Sequence, residues 1–231
     1  ALAAIQRTEG VRTAAVARSV TPMAENDAAP AGAPVLKNAS ALEMTRANQA
    51  AQKGDHQVIE VIDSGLDTSH PAFSGALDAA SLRMTQADVA ALAPSLPHAT
   101  GGTWVSDKIP FAYDYADNDA DVVPASEKDL NHGTHVTAIA AANADVLQGT
   151  APHAQIIVAK VARSVEGDIT DSGLLAALDD MVILHPDVIN LSLGWTAGMD
   201  SEADSVYASV YKNLQDAGVS VNAAAGNEYS A

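Results

Sequence analysis

The sequence predicts an α/β fold, a parallel sheet flanked by helices and incomplete at the C-terminus, and three observations predict it. Four apolar runs of strand length occur at residues 58–62, 155–161, 188–193 and 219–223. Helix-length segments at 132–144, 172–184 and 202–217 fall between them, and this alternation is the kind that builds parallel sheets. Asp63 and Asn227 stand just after apolar runs, where open α/β sheets carry their functional groups.

The elements follow in order. Residues 11–16 read as a short strand, and Pro22, Pro30 and Pro34, with Ala and Gly between them, mark a linker. Residues 1–37 are therefore expected to be a tail and linker, and 38–231 the main domain. Ser40-Ala41-Leu42-Glu43 fits a capping box and predicts a helix that Gly54 stops. The first core strand, 58–62, ends on Asp63-Ser64-Gly65. A long, mostly polar insertion follows, with a helix-like piece near 85–92. The helix from His132 carries Ala138, Ala140, Ala141 and Ala142, small residues that permit close packing in an interior. Glu60 and Asn222 interrupt core strands, and a carboxylate buried at 60 needs a partner or a raised pKa.

Composition narrows the function. With 231 residues, 48% of them hydrophobic, the chain can bury one sizeable core. A net charge of −17 argues against nucleic acid, whose phosphates call for Lys and Arg, and suits solubility and attraction of cations or basic peptides. No apolar run approaches the ~20 residues of a membrane span. The absence of Cys excludes disulfides and thiolate chemistry.

Three short motifs carry chemistry. Val61-Ile62-Asp63-Ser64-Gly65 supplies a carboxylate, His132-Gly133-Thr134-His135-Val136 an imidazole, and Ala225-Gly226-Asn227 a side-chain amide. An orienting acid, a proton-shuttling base and an oxyanion donor are three of the four parts of a serine hydrolase. Each motif alone also reads as ordinary structure: an Asp capping a turn, a structural His, a Gly-Asn turn. Their occurrence together in this order is the informative signal. His132 and His135 do not form a zincin pair, which needs His-Glu-x-x-His at i,i+4. No G-x-G-x-x-G follows a strand, which disfavours a dinucleotide-binding protein. The acidic run Asp114, Asp117, Asp119, Asp121 lacks the Gly of an EF-hand, and Lys128 stands where the closing Glu would fall, so a solvated acidic loop is expected there.

From about Ala39 onward, the chain resembles the subtilisin-like serine proteases. Residues 58–71 resemble the catalytic-Asp segment and 131–141 the His segment; the resemblance thus implies that Asp63 is the orienting acid and His132 the general base. Gly149-Thr150-Ala151-Pro152 resembles the family's turn before a core strand. The segment 187–194 is similar to the substrate-binding strand, with Ser192, Leu193 and Gly194 forming one wall of the primary pocket. Ala225 and Gly226 match the opposite wall, and Asn227 the oxyanion donor. Gly167, Asp168 and Ile169 fall where the family pairs with substrate by β-augmentation. Residues 105–117 within the long insertion look like the lactocepin-type cell-envelope proteinases. That likeness implies a secreted or cell-wall-associated enzyme made as a zymogen, with residues 1–37 as the tail of its pro-segment.

The chain departs from the family in places. The Gly-Thr-Ser-Met-Ala segment bearing the nucleophile is absent, and neither Ser172 nor Ser230 sits in such a context. Thr137 and Ala138 replace the usual Ala-Gly. The resemblance implies a serine endopeptidase acting on protein or peptide substrates, present as a piece lacking its Ser and inactive alone. It requires no cofactor for chemistry, with structural calcium an option at a position the sequence leaves open. A non-catalytic, subtilase-like peptide-binding module is the alternative, and the residues following Ala231 discriminate the two.

Overall fold

The structure is a computed structural model describing residues 7, 19–22, 42–124, 131–145, 147–165, 167–194 and 201–226. Its strands are β1 (Ser19–Pro22), β2 (Val58–Asp63), β3 (Phe111–Asp114), β4 (Asn143–Ala144), β5 (Leu147–Gln148), β6 (Gln155–Lys160), β7 (Ile169–Thr170), β8 (Val188–Leu191), β9 (Leu193–Gly194) and β10 (Ser220–Ala223). Its longer α-helices are α1 (Gln86–Leu92), α2 (His132–Ala141), α3 (Asp171–Leu184) and α4 (Ser201–Asp216).

The central sheet has the order β10-β8-β2-β6-β3, with every neighbouring pair parallel. Its middle strands are apolar on both sides because helices and the insertion cover both faces. One face meets the larger core, where Val58, Ile62, Phe111, Leu178 and Met181 pack; the other holds Ile156, Val158 and the alanines of α2. The turn at Gly149 to Ala151 closes on the end of α2 through Gly149 N–H to Ala142 O, Thr150 N–H to Ile139 O and Ala151 N–H to Ala140 O.

Several expectations are corrected. The helix expected from Ser40 to Gly54 is broken: residues 42–44 are helical, Arg46 takes the left-handed conformation, and a 3₁₀ turn, Ala47–Gln49, follows. Helix α2 ends at Ala141 rather than 144, because Ala142 turns out and Asn143 starts the β4–β5 hairpin. The expected strand 188–193 divides at Ser192. Asn222 is exposed, because β10 lies at the edge of the described sheet. The acidic loop is only partly solvated: Asp114 is buried, whereas Asp117, Asp119 and Asp121 are exposed. The strand expected at 11–16 lies outside the described residues.

Candidate active site

Asp63 is the last residue of β2 and His132 the first of α2. A parallel strand and a helix crossing behind it bring these two ends together. His132 Nδ1 lies 2.8 Å from Asp63 Oδ1 and 3.0 Å from Oδ2. The carboxylate is 1% exposed and the imidazole 12%, so their bond is largely shielded from water. Asp63 Oδ1 also accepts the Ser64 N–H at 2.6 Å.

Two hydroxyls brace the turn against the helix. Ser64 Oγ accepts the Gly133 N–H at 3.0 Å, and Thr134 Oγ1 accepts the Asp67 N–H at 3.0 Å. A side chain at Gly133 would run into the Gly65 carbonyl and the Asp63 side chain, so the close approach requires glycine. Thr137 is buried and returns its hydroxyl to the Gly133 carbonyl at 2.6 Å, which ties up its polar atom inside the helix.

A second structure lies nearby in sequence. The short strands β7 and β9 do not join the main sheet. They flank β1, which pairs antiparallel with both: Ser19 with Thr170 and Val20 with Ile169 on one side, Thr21 with Gly194 and Pro22 with Leu193 on the other. A segment from the beginning of the chain is thus the middle strand between two edges. Ser192 forms the step from β8 to β9, and its Oγ accepts from Asn190 Nδ2 at 3.0 Å. Gly167 has φ +73° and closes the turn before β7 with its N–H on the Arg163 carbonyl. Asp168 accepts the Arg163 N–H through its carbonyl, while its Oδ1 is buried without a hydrogen-bond partner.

The Subtilase family model matches residues 54–231. The chain belongs to the subtilase family. It is 32% identical over 183 residues to the PI-type proteinase of Lactococcus lactis subsp. cremoris, covering 76% of this chain and 9% of that protein. It is 30% identical over 191 residues to the C5a peptidase of Streptococcus pyogenes serotype M6, covering 79% of this chain and 16% of that protein. The chain therefore spans under a fifth of the length of these relatives. A cold-adapted subtilisin-like serine proteinase of known structure is 25% identical, with a TM-score of 0.48, over 76% of this chain and 49% of that one.

Within this subtilase, the structure joins Asp63 to His132 and pairs Ile169, Leu193 and Gly194 with β1. The Ala224 N–H bonds to the Leu191 carbonyl, one residue before Ser192, which sets the exposed Ala225 and Gly226 next in line beyond the ends of β8 and β10. Asn227 lies outside the described residues. No group of three or more potential metal ligands occurs among the described residues. Sequence reasoning missed Ser64 and Thr134 as braces, although both stand inside quoted motifs. It also missed 19–22 as a strand, because Pro22 was assigned to the linker.

Proposed function

We propose that this chain is the acid- and base-bearing part of a secreted or cell-wall-associated serine endopeptidase of the subtilisin type, with the nucleophilic Ser supplied from outside these 231 residues. The observation that carries the reading is the shielded bond between His132 Nδ1 and Asp63. Holding Nδ1 on the carboxylate fixes the tautomer that leaves Nε2 to work on a nucleophile. In the proposed mechanism His132 Nε2 takes the proton of the serine hydroxyl as its oxygen attacks the peptide carbonyl. The imidazolium, steadied by Asp63, then gives that proton to the leaving amine. Asn227 stabilises the oxyanion, and water hydrolyses the acyl-enzyme by the same proton route.

The substrate cleft in this reading is the gap between β7 and β9, with Gly167, Asp168, Ile169, Ser192, Leu193, Gly194, Ala225 and Gly226 as its walls. Pairing of β1 with both edges supports it: an extended peptide adds a strand there by main-chain bonds. Residues 1–37 then act as an inhibitory pro-segment that fills the cleft until it is removed. Substrates are proteins or peptides; no described helix is long and apolar enough to cross a membrane.

The test is hydrolysis of fluorogenic peptides by the full-length protein and its Asp63→Asn and His132→Ala variants. In subtilisin itself, loss of the Asp lowers turnover about 3 × 10⁴-fold and loss of the His about 2 × 10⁶-fold. Losses of that order are expected here, and retention of activity in either variant removes the pair from the mechanism. The same strand pairing would serve a non-catalytic peptide-binding module. Peptide capture by the full-length protein without any hydrolysis would decide for that reading.

A further inference from the structure

The run Gln155–Lys160 is apolar until its last residue, and that last residue is a lysine with 0% exposure. Removing an ammonium from water costs several kcal/mol unless it is paired and hydrogen-bonded. An ammonium has three N–H donors. Lys160 Nζ forms an ion pair with the Asp114 carboxylate Oδ2 at 2.7 Å and donates hydrogen bonds to Ser164 Oγ at 2.6 Å and to the Asp121 carbonyl at 3.3 Å.

We propose that Lys160 is a positioning residue for peptide-bond hydrolysis, an internal cation that fixes the turn carrying Asp63 and the edge strand β7 to one another. This assignment rests on the reading of β7 as a substrate edge. Two of the three contacts lead to different walls, and the third joins them. The Asp121 carbonyl fixes the peptide before Val122, whose own carbonyl accepts the Leu66 N–H at 2.8 Å, directly behind Asp63-Ser64-Gly65. A side chain at Gly65, which has φ +115°, would strike that same Val122 carbonyl and lean on the Lys160 stem, so turn, loop and lysine are in close contact.

Ser164 leads to the other wall. Its N–H donates to Asp117 Oδ2 at 2.8 Å, while its hydroxyl accepts from Lys160. The adjacent Arg163 closes the turn to β7 with its N–H on the Asp168 carbonyl and its carbonyl on the Gly167 N–H, and Ala162 bridges Ile169. Asp114 is the hinge between the two. Its Oδ1 accepts the N–H groups of Ala116 and Asp117, folding the loop so that Asp117 reaches Ser164. Burial pushes the Asp114 carboxyl up, and the Lys160 contact and these amides pull it back down. In the main chain, Lys160 lies in register with both Asp63 and Asp114, so the ammonium works from the strand that the two walls share.

A carboxylate, a hydroxyl and a carbonyl around one positive centre resemble a hard-cation site with fewer ligands than the six to eight of calcium. The lysine supplies the charge covalently, so the order of this loop is expected to be insensitive to chelators.

The test is amide hydrogen exchange on the 231-residue chain, comparing wild type with Lys160→Met and with Lys160→Met/Asp114→Asn, which leaves no buried unpaired charge. The expected result for the double variant is exchange at least about tenfold faster at Leu66, Arg163 and Gly167 together. Ile157 and Val158 of the same strand should keep their protection, and EDTA should change neither protein. Unchanged protection at Leu66 and Gly167, acceleration at all amides in parallel, or failure of both variants to fold would overturn the assignment in favour of a purely stabilising role. In the full-length protein, the double variant should raise KM for a peptide long enough to pair with β7 more than for a single-residue ester. If the amides loosen but the full-length protein cleaves nothing, the lysine brace stands and the protease reading falls. If it cleaves and the amides hold, the brace alone falls.

Discussion

Replacing Glu60 with Met should stabilise the protein at neutral pH by an amount that grows with pH. Glu60 lies in β2 between Val58 and Ile62, whose side chains share its face and belong to the larger core. It is 0% exposed, and neither side-chain oxygen has a hydrogen-bond partner. Burial, reinforced by the nearby Asp180 charge, pushes its carboxyl well above the usual 4.5. The groups around it cannot offset this: Asp180 accepts from the Tyr115 hydroxyl and from the N–H groups of His98 and Ala99, and none of these donors reaches Glu60. A carboxyl raised in the folded state is protonated there while the unfolded chain ionises. The protein then loses stability as pH climbs from about 4.5 toward the folded value, at about 1.4 kcal/mol per pH unit. The difference between the two proteins therefore widens from pH 4.5 to pH 6.5. Met has similar volume, does not titrate and leaves no partner unsatisfied. Asp114, also raised by burial, remains in both proteins and cancels in the comparison. Urea unfolding followed by circular dichroism at pH 4.5, 5.5 and 6.5 gives the difference directly. A gap between Glu60→Met and wild type that stays constant across that range would refute the reasoning, as would a variant less stable at pH 6.5.

Further outcomes are expected. Gly133→Ala should cost roughly 1–3 kcal/mol by overpacking against Gly65 and Asp63, visible as a lower urea midpoint and a disturbed His132 ring signal in NMR. If the proposed function holds, Asp168→Asn should weaken any preference of the full-length protein for basic residues a few positions before the scissile bond; an unchanged cleavage profile counts against it. A chain beginning at residue 38 should bind a synthetic peptide of residues 15–26, whereas the 231-residue chain, whose β1 already fills the gap, should not; equal binding by both would remove β1 from the cleft.

Much of this architecture is legible in the sequence where burial and pattern coincide. Strands β2 and β6 and helix α3 lie within a residue or two of expectation, because their apolar runs are buried in the order they appear; β10, which is largely exposed, and α4 also fall within a residue or two of expectation. The Asp63–His132 juxtaposition follows from the ends of two such elements. Other features escape for physical reasons. Strand β3 is fully buried, yet its apolar part, Phe-Ala-Tyr, is only three residues long and lies inside a polar insertion. The break at Arg46 depends on a left-handed backbone that no residue nearby announces. The step at Ser192 and strand β1 depend on pairing between segments about 150 residues or more apart, which no local signal encodes. The burial of Lys160 and Asp114 is a property of the pair, since neither residue predicts an interior position alone.

The central claim is that Asp63 and His132 serve a serine that these 231 residues do not contain, and serine-directed labelling tests it most directly. A fluorophosphonate probe is applied to the 231-residue chain, the full-length protein and its His132→Ala variant, and the labelled residue is mapped by mass spectrometry. The account predicts no labelling of the 231-residue chain, labelling of the full-length protein at one serine beyond Ala231, and loss of that label in His132→Ala. Stoichiometric labelling of any serine between Ser19 and Ser230 would contradict it.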